Sequence, residues 1–344
     1  MKEGHKNRMF YKDLDVIIPT YNRAEYLQIA LESICESIAT WRKTIIVNNA
    51  STDNTLEIIE NIKKKYPKRV IEVITNEKNI GNAGNFKKTQ EIAANKYTAV
   101  FHDDDAIHPE YIDRAMKIIT ESDEDIVLAT GGANALYNIN HENWGILPNY
   151  YWEYPSNKNI FLQLILARYT FCCCIYKTSI YKNIEYKSKL YGKLHDIIFM
   201  SEICEKGSAI YLHGECVRWR QHLGSDSNTL KTGPFPKEII NVLFKLKEIH
   251  FCECTYKWKK GFRKILFSTL LFNFAYFLYR WADLKRFIKW KNFRNLMLKE
   301  QIFNAKDYII FDKIIDLFLN PCIRKLASRY MKKYHRTYEY RVGE

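Results

Sequence analysis

The sequence predicts an α/β fold, in which a doubly wound, mostly parallel sheet is followed by a C-terminal helical region. Short β-branched runs alternate with segments whose apolar residues recur at helical spacing. This alternation is typical of a parallel sheet covered by helices. Polar and glycine-containing loops follow the β-branched runs, and ligands of such folds bind beyond the carboxyl ends of the strands. We therefore also expect a ligand site along that edge of the sheet.

The predicted elements follow in order along the first third of the chain. Four strands are predicted over Asp15–Pro19, Thr44–Val47, Val70–Ile74 and Ala99–Phe101. Helices are predicted between them over Ala24–Ile38, Leu56–Lys65 and Phe86–Asn95, and Ser51 and Asp53 offer caps for the second.

Beyond residue 131 the pattern becomes mixed. We predict a helix near Ile160–Ala167, a strand over Thr170–Tyr176 and a helix over Ile197–Cys204. Gly233–Pro236 is the best candidate boundary. It divides the chain into an α/β domain over 1–232, which carries the expected ligand site, and a basic, aromatic-rich helical region over 233–344.

Charge is distributed unevenly. The 344 residues are 47% hydrophobic and carry a formal net charge of +14, a composition that excludes a disordered chain. Residues 231–344 hold 25 Lys and Arg against 10 Asp and Glu, a net of +15, whereas residues 1–230 carry a net of −1. The two parts of the chain are therefore expected to face different partners.

Cysteine content and the first residues predict a reducing compartment. Met1–Phe10 is polar and has no apolar segment behind it, so we expect no signal peptide. The nine cysteines include no C-x-x-C pair, and their odd number suggests reduced, structural thiols in the cytoplasm.

Three adjacent carboxylates, Asp103–Asp105, follow the strand-like run that ends at Phe101. Adjacent acids repel one another, so a fold gains no stability from gathering them. A bound divalent cation removes that penalty, and carboxylate oxygens suit Mg²⁺ or Mn²⁺. The alternative is an acidic turn that caps a helix starting near Pro109.

Four segments carry a resemblance. Val16–Arg23, Val47–Thr55, Asn79–Asn85 and Phe101–Asp105 together resemble the ordered signature of inverting family-2 glycosyltransferases with the A-type fold, over about residues 13–225. The resemblance implies a nucleotide-sugar bound over the sheet edge. It also implies a divalent metal on the acidic motif and sugar transfer with inversion.

The resemblance also implies roles for single residues. Tyr21 would stack on the nucleobase, and Asn49 matches a position that hydrogen-bonds uracil, although many members carry an Asp in the Asn48–Asn49 pair. Gly81 permits close backbone approach or simply forms a turn before a helix. The implied donor-binding residues are Pro19, Thr20, Tyr21, Arg23, Asn49, Gly81, Asn85, Asp103, Asp104 and Arg220.

The base and the metal ligands follow from the same resemblance. Asp196, about 90 residues after the acidic motif, matches the carboxylate that deprotonates the acceptor hydroxyl, and its alternative role is the N-cap of a helix. The segment Arg218–Ser227 resembles an element that closes over the donor. We therefore expect Asp105 and His222 as metal ligands, with Arg220 on the diphosphate.

The C-terminal third holds an uncharged run of 15 residues, Ile265–Tyr279, which is shorter than the ~20 residues needed to span a bilayer. The following Arg280–Trp290 mixes aromatic residues with cations, a composition suited to an anionic membrane interface. Alternatively, these helices pack on the catalytic domain and expose their charges to solvent.

The resemblance implies a metal-dependent glycosyltransferase, and the charge distribution favours a location at the inner face of the cytoplasmic membrane. Its partners would be a nucleotide-sugar, with UDP as the nucleotide, a glycan or lipid-linked acceptor, and an anionic membrane surface. A nucleotidyltransferase would need a glycine- and lysine-rich phosphate loop, and a nucleic-acid-binding protein would be expected to show a recognised motif. We find neither in the sequence and expect no nucleic-acid partner, whereas an oligomer stays open.

Overall fold

The computed structural model describes residues 9–136, 143–154, 170–220, 236–251, 289–300 and 336–339. The strands are β1 (Phe10–Thr20), β2 (Thr40–Asn48), β3 (Ile71–Thr75), β4 (Tyr97–Phe101), β5 (Ala106–Ile107), β6 (Ile126–Leu136), β7 (Tyr150–Tyr154), β8 (Cys173–Lys177), β9 (Ser208–Arg220) and β10 (Arg336–Glu339). The helices are α1 (Ala24–Cys35), α2 (Thr55–Lys65), α3 (Gly81–Ile92), α4 (Tyr111–Glu121), α5 (Thr178–Tyr181), α6 (Ser188–Tyr191), α7 (His195–Cys204), α8 (Pro236–Phe251) and α9 (Trp290–Lys299).

The strands form one sheet in the order β10-β7-β9-β6-β8-β4-β1-β2-β3, and β5 pairs with β9. Strand β1 lies parallel to both β2 and β4, and β2 lies parallel to β3. Beyond β4 the sheet is mixed, because β8 is antiparallel to β4 and β6, whereas β6 and β9 are parallel. The predicted α/β class is confirmed, and its doubly wound parallel part is β1–β4.

Helices cover both faces of this sheet because successive strand residues point to opposite sides. In β1, Val16 and Ile18 belong to one buried cluster, whereas Ile17 belongs to the other. The first cluster takes its helical side chains from α1, α2 and α4, and the second takes them from α3, α5 and α7. The long loops between strand and helix therefore emerge together at the carboxyl ends of β1, β2 and β4, the edge at which the sequence predicts a ligand site.

The C-terminal region begins by packing against the rest of the molecule. Helix α8 contacts α6, α7 and the 3₁₀ turn between them, and its residues Ile239, Val242 and Leu243 are buried. Asn241 Nδ2 donates to the Leu190 carbonyl at 3.1 Å. The predicted boundary at Gly233–Pro236 thus precedes a helix that is joined to the region carrying Asp196.

Two predicted segments lie wholly or mostly outside the described residues, namely the helix near Ile160–Ala167 and the aromatic, cationic run Ile265–Trp290. Among the helices that the structure does describe, none combines the length and the apolarity that crossing a bilayer requires. The described cysteines are Cys35, Cys172, Cys173, Cys174, Cys204 and Cys216, all buried and none of them in a disulfide.

Candidate active site

The loops that follow β1 and β2 are fastened to each other. Ser51 Oγ accepts the Asn22 backbone N–H at 3.0 Å, and the Thr52 N–H donates to Asn22 Oδ1 at 2.7 Å. Asn22 and Ala50 adopt positive φ angles of 50° and 58°, a conformation that a well-held loop can impose. Asp53 accepts N–H groups at the start of both α1 and α2. The two loops at the carboxyl ends of β1 and β2 are therefore held in a fixed shape.

Asparagine side chains join the loop after β2 to helix α3. Asn76 Nδ2 donates to Asn49 Oδ1 and to Asn85 Oδ1, both at 3.0 Å, and Asn49 Nδ2 donates to Asn79 Oδ1 at 2.8 Å. Asn49 and Asn85 are both buried. The structure thus brings these two predicted donor-binding residues together, and a nucleoside would reach either amide only by exchanging one of the internal bonds.

Arg23 neutralises the first two acids of the Asp103–Asp105 triplet. Its Nη1 lies 2.9 Å from Asp103 Oδ1 and 2.7 Å from Asp104 Oδ2. Burial raises the pKa of Asp103, the Arg23 charge opposes that rise, and the neighbouring Asp104 adds to it. Arg23 therefore offsets part of the repulsion expected among adjacent carboxylates.

The two oxygens of Asp105 differ in their partners. Oδ1 accepts the Arg220 backbone N–H at 2.9 Å. Oδ2 is buried and has no hydrogen bond of ordinary geometry among the described residues, although the Cys172 thiol is close enough to interact with this carboxylate. Burial and the Asp104 charge raise the pKa of Asp105 well above its usual range. The nearest cationic candidate is His102, whose Nδ1 is 3.7 Å from that oxygen.

The side chains around Asp105 are of the types that bind a divalent cation. Ligand atoms of His102, Asp104 and Asp105 all lie within 4.8 Å of one another. A buried carboxylate oxygen without a partner needs a donor or a cation, and a divalent metal would satisfy it. The residues present therefore fit the predicted Mg²⁺ or Mn²⁺. Of the two predicted ligands, Asp105 is part of this group, whereas His222 lies outside the described residues.

Arg220 holds the acidic loop through a hydrogen bond to its backbone. Its Nε donates to the Asp104 carbonyl at 2.8 Å, and its guanidinium lies over the Tyr26 ring at 5.3 Å. The residue is 3% exposed. Sequence reasoning predicted a contact between Arg220 and the diphosphate, and the structure adds a backbone contact that fixes the loop.

Asp196 occupies the first turn of α7. The predicted helix start at Ile197 is wrong by two residues, because α7 begins at His195, and Leu194 rather than Asp196 stands at the cap position. Burial raises the pKa of Asp196, and the charges of His195 and His102 oppose that rise. His102 thus lies near both carboxylates, with its Nδ1 3.7 Å from Asp105 Oδ2 and its charge acting on Asp196.

Aromatic rings connect these two parts. Phe171 packs edge-on against His102, with ring centroids 5.8 Å apart, and against His195 at 6.4 Å. Tyr186 lies 4.0 Å from His195. Aromatic rings therefore lie between the acidic loop and the start of α7, which carries Asp196, and such rings suit contact with an apolar sugar face.

The backbone before Asp196 is shaped by a glycine. Gly192 has φ +57°, and a Cβ at this position would lie 2.4 Å from Glu238 Oε2 on α8. The Gly192 carbonyl contacts His195 Nδ1 at 2.6 Å. The turn that presents Asp196 thus requires glycine and is backed by the C-terminal region.

Other predicted residues lie around the same edge. Tyr21 is 39% exposed, Thr20 is buried, Pro19 is half-buried, and Gly81 has φ +77°. Sequence reasoning missed His102, although it stands directly before the three acids and that adjacency was the available signal. It also missed Asn76 and Phe171, for which the sequence gives no comparable signal.

Known proteins resemble this chain in sequence. The model of glycosyl transferase family 2 matches residues 15–185. The uncharacterized glycosyltransferase YibD of Escherichia coli is 30% identical over 136 residues, which are 39% of this chain and 38% of YibD. TarS of Staphylococcus aureus, a poly(ribitol-phosphate) β-N-acetylglucosaminyltransferase, is 30% identical over 115 residues, 33% of this chain and 20% of TarS. The alignments span less than two thirds of these relatives.

Solved structures resemble it in fold. The structure of TarS residues 1–349 in complex with UDP-GlcNAc superimposes with a TM-score of 0.58 at 17% identity, covering 84% of this chain and 81% of that one. The mannosyltransferase PcManGT of Pyrobaculum calidifontis, in complex with GDP-Man and Mn²⁺, gives 0.50 at 13% identity, covering 96% and 86%. Together with the strand order and the strand-end acids, the family match is decisive. Residues 15–185 are a family 2 glycosyltransferase domain of A-type fold, and through it the chain belongs to that family.

Proposed function

We propose that the protein transfers a sugar from a UDP-sugar to a glycan or lipid-linked acceptor by a single, inverting displacement. The observation that carries this proposal is the buried Asp105 Oδ2, which lies 3.7 Å from His102 Nδ1, together with the half-buried Asp196, whose carboxylate also feels the His102 charge. An inverting displacement needs these two functions, a site for the leaving diphosphate and a base for the attacking hydroxyl.

The donor would lie over the ends of β1, β2 and β4. The exposed Tyr21 ring offers a stacking surface for the nucleobase. Asp103 would meet the ribose, and Arg23 would hold Asp103 and Asp104 in place. TarS and PcManGT are described with UDP- and GDP-linked sugars, which supports a nucleoside diphosphate donor. The choice of UDP rests on the resemblance at Asn49.

A divalent cation, Mg²⁺ or Mn²⁺, would be held by Asp105 with Asp104, and when bound it neutralises negative charge on the leaving diphosphate. The chain's own residues prepare that place. The Arg220 N–H orients Asp105 through Oδ1, so that Oδ2 is left on the side of His102. The Mn²⁺ named in the PcManGT structure supports the proposal.

Asp196 would accept the proton of the acceptor hydroxyl. A carboxylate at the start of a short helix is presented at the rim of a cleft, and its Oδ1 is oriented by the Ile197 N–H at 2.8 Å. The raised pKa of Asp196 makes it a stronger base than an exposed aspartate. The surrounding Phe171 and Tyr186 rings would exclude water and pack on the sugar.

The same proposal includes a place in the cell, at the inner face of the cytoplasmic membrane. The net charge of +15 over residues 231–344 supports attraction to anionic lipid, worth about 1 kcal/mol per Lys or Arg near the surface. Flotation of the full chain with anionic liposomes, neutral liposomes and duplex DNA in parallel tests it. We expect salt-sensitive binding to anionic liposomes, and preferential binding to duplex would contradict the membrane proposal.

The function itself is tested with the full chain and a panel of nucleotide-sugars. We expect release of UDP from one UDP-sugar in Mg²⁺ or Mn²⁺, accelerated by an acceptor and abolished by excess chelator. Release that favours GDP- or TDP-sugars would contradict the proposal that UDP is the donor nucleotide. Full turnover in excess chelator would contradict the proposed metal dependence.

A further inference from the structure

We propose that His102 is itself a ligand of the metal ion and that its imidazole makes the site select Mn²⁺ over Mg²⁺. The inference rests on the proposed metal-dependent transfer, but it concerns a residue to which neither the sequence motifs nor the comparisons give a role. It follows from how His102 and Asp105 face each other.

The distance between the two side chains fits a shared ion better than a direct contact. His102 Nδ1 and Asp105 Oδ2 are 3.7 Å apart, whereas a hydrogen bond between nitrogen and oxygen spans about 2.7–3.2 Å. Two ligands at about 2.1 Å from one octahedral ion lie about 3.0 Å apart when adjacent and about 4.2 Å apart when opposite. The observed separation is about 0.7 Å longer than the adjacent spacing, so a movement of a few tenths of an ångström by each side chain would bring both atoms to one ion.

The oxygen that faces His102 is the one that lacks a partner. Asp105 Oδ1 already accepts the Arg220 N–H, and the Asp105 side chain is only 2% exposed. Its Oδ2 has no hydrogen bond of ordinary geometry among the residues described, and its other polar neighbour is the thiol of Cys172, a weak donor. A buried carboxylate oxygen in this position is costly unless a cation or a strong donor meets it. The His102 nitrogen is the group placed to share such a cation with it.

The fold holds His102 in this orientation. The residue directly follows β4, whose last residue, Phe101, is buried in the core. The Phe171 ring packs against the imidazole at 70°, with centroids 5.8 Å apart. The His102 side chain is nevertheless 36% exposed, so an ion entering from the cleft can reach it. A fixed ring with one open side is the arrangement that a metal ligand needs.

The chemistry of the ligand set determines which ion is preferred. Mg²⁺ binds oxygen ligands and keeps several waters, whereas imidazole nitrogen suits later divalent metals. Mn²⁺ accepts both carboxylate oxygen and, more readily than Mg²⁺, a nitrogen ligand, as its place above Mg²⁺ in ligand softness implies. A site with Asp104, Asp105 and His102 should therefore bind Mn²⁺ more tightly than an all-oxygen site of the same charge.

The test uses Mn²⁺ and UDP with the full-length protein, and it reads the metal directly by pulsed electron paramagnetic resonance. We expect nitrogen modulation from a coordinated imidazole in the wild type and its loss in His102→Asn. His102→Asn should also weaken Mn²⁺ binding by about tenfold or more, and a competition titration should show a much smaller change for Mg²⁺. Thermal melting of each variant checks that it is folded.

Two further variants test which histidine supplies the nitrogen ligand. His108→Gln removes a buried imidazole that contacts the Gly145 carbonyl, and it should leave the nitrogen signal intact. His222→Asn removes the ligand predicted from sequence. If the signal survives in His102→Asn and disappears in His222→Asn, or if Mn²⁺ affinity is unchanged in His102→Asn, the proposal is wrong. If the wild type binds Mn²⁺ without nitrogen, only this inference fails. If it binds no Mn²⁺ with UDP, the metal-dependent function fails as well.

Discussion

Two parts of the site, the proposed donor half over residues 15–105 and the proposed acceptor half over residues 170–204, are built from different interactions. Hydrogen bonds between side chains dominate the donor half, as in the Asn76–Asn49 bond and the bridge from Arg23 to two acids. Packed rings dominate the proposed acceptor half, where Tyr176 stacks on Tyr181 with centroids 4.7 Å apart and Tyr186 contacts His195. Hydrogen bonds constrain direction, whereas ring packing tolerates several arrangements. The donor half is therefore prepared for one ligand class, and the acceptor half is the part that can adapt.

Among the substitutions that test this division into two halves, we expect the largest effect at Asp105. In Asp105→Asn the shape is kept but the charge that meets a divalent cation is lost, so donor binding and turnover should both fall, with turnover reduced about 10⁴-fold. Steady-state kinetics with saturating Mn²⁺ measure it. Asp123→Asn, at an exposed position, is the matched control and should match the wild type. Wild-type turnover in Asp105→Asn would show that the reaction does not depend on a metal bound at Asp105.

A change at Asp196 should affect only the acceptor half. Asp196→Asn preserves the helix start and removes the proton acceptor, so turnover should fall about 10³-fold, within the range for a general base. Affinity for the donor should stay within a few fold of the wild type. If most turnover remains, Asp196 serves the helix and another group is the base.

The pH profile sharpens the same assignment. Burial raises the pKa of Asp196 above the usual aspartate value, and only the deprotonated form accepts a proton. Turnover should therefore rise with pH through that raised pKa and then level off, and the rise should be missing from the residual activity of Asp196→Asn. A wild-type profile that falls with increasing pH over this range would contradict the assignment.

Gly192→Ala should disturb the acceptor half through its backbone. A side chain here is strained at φ +57° and would meet Glu238, so the free energy of unfolding should fall by about 1–3 kcal/mol. Urea denaturation measures the change. Gly145→Ala is the control, since a Cβ there meets no atom within 4 Å. Adding Glu238→Ala should restore part of the loss, and no restoration would show that α8 does not press on this turn.

Asn76→Ala should give the smallest effect, confined to the donor half. It removes the donor of two hydrogen bonds, to Asn49 and Asn85, which is worth about 1 kcal/mol or roughly fivefold in the KM for the donor. The kcat should change little. Asn183→Ala, which loses one exposed bond to the Ser179 carbonyl, is the control. An equal change in kcat and KM for the acceptor would mean that the two halves are not separate.

The sequence predicted the donor half better than the acceptor half for a physical reason. Strand alternation and strand-end acids are local patterns, so β1–β4 and the place of Asp105 could be derived from neighbours in the chain. The surroundings of Asp196 depend on distant residues, because Phe171 and Tyr186 pack on the neighbouring His195 and Glu238 faces Gly192. His102 was within reach of a local argument, but only its distance from Asp105 gives it a role.

Calorimetric titration of UDP-GlcNAc, the ligand named for TarS, into the wild type, Asp105→Asn and Asp196→Asn tests the central claim most directly. Each protein is titrated in Mn²⁺ and again in excess chelator. We predict that the wild type and Asp196→Asn bind with similar affinity in Mn²⁺ and lose binding in chelator, whereas Asp105→Asn does not bind in either condition. Equal binding of the wild type with and without the metal, or loss of binding in Asp196→Asn alone, would contradict the account.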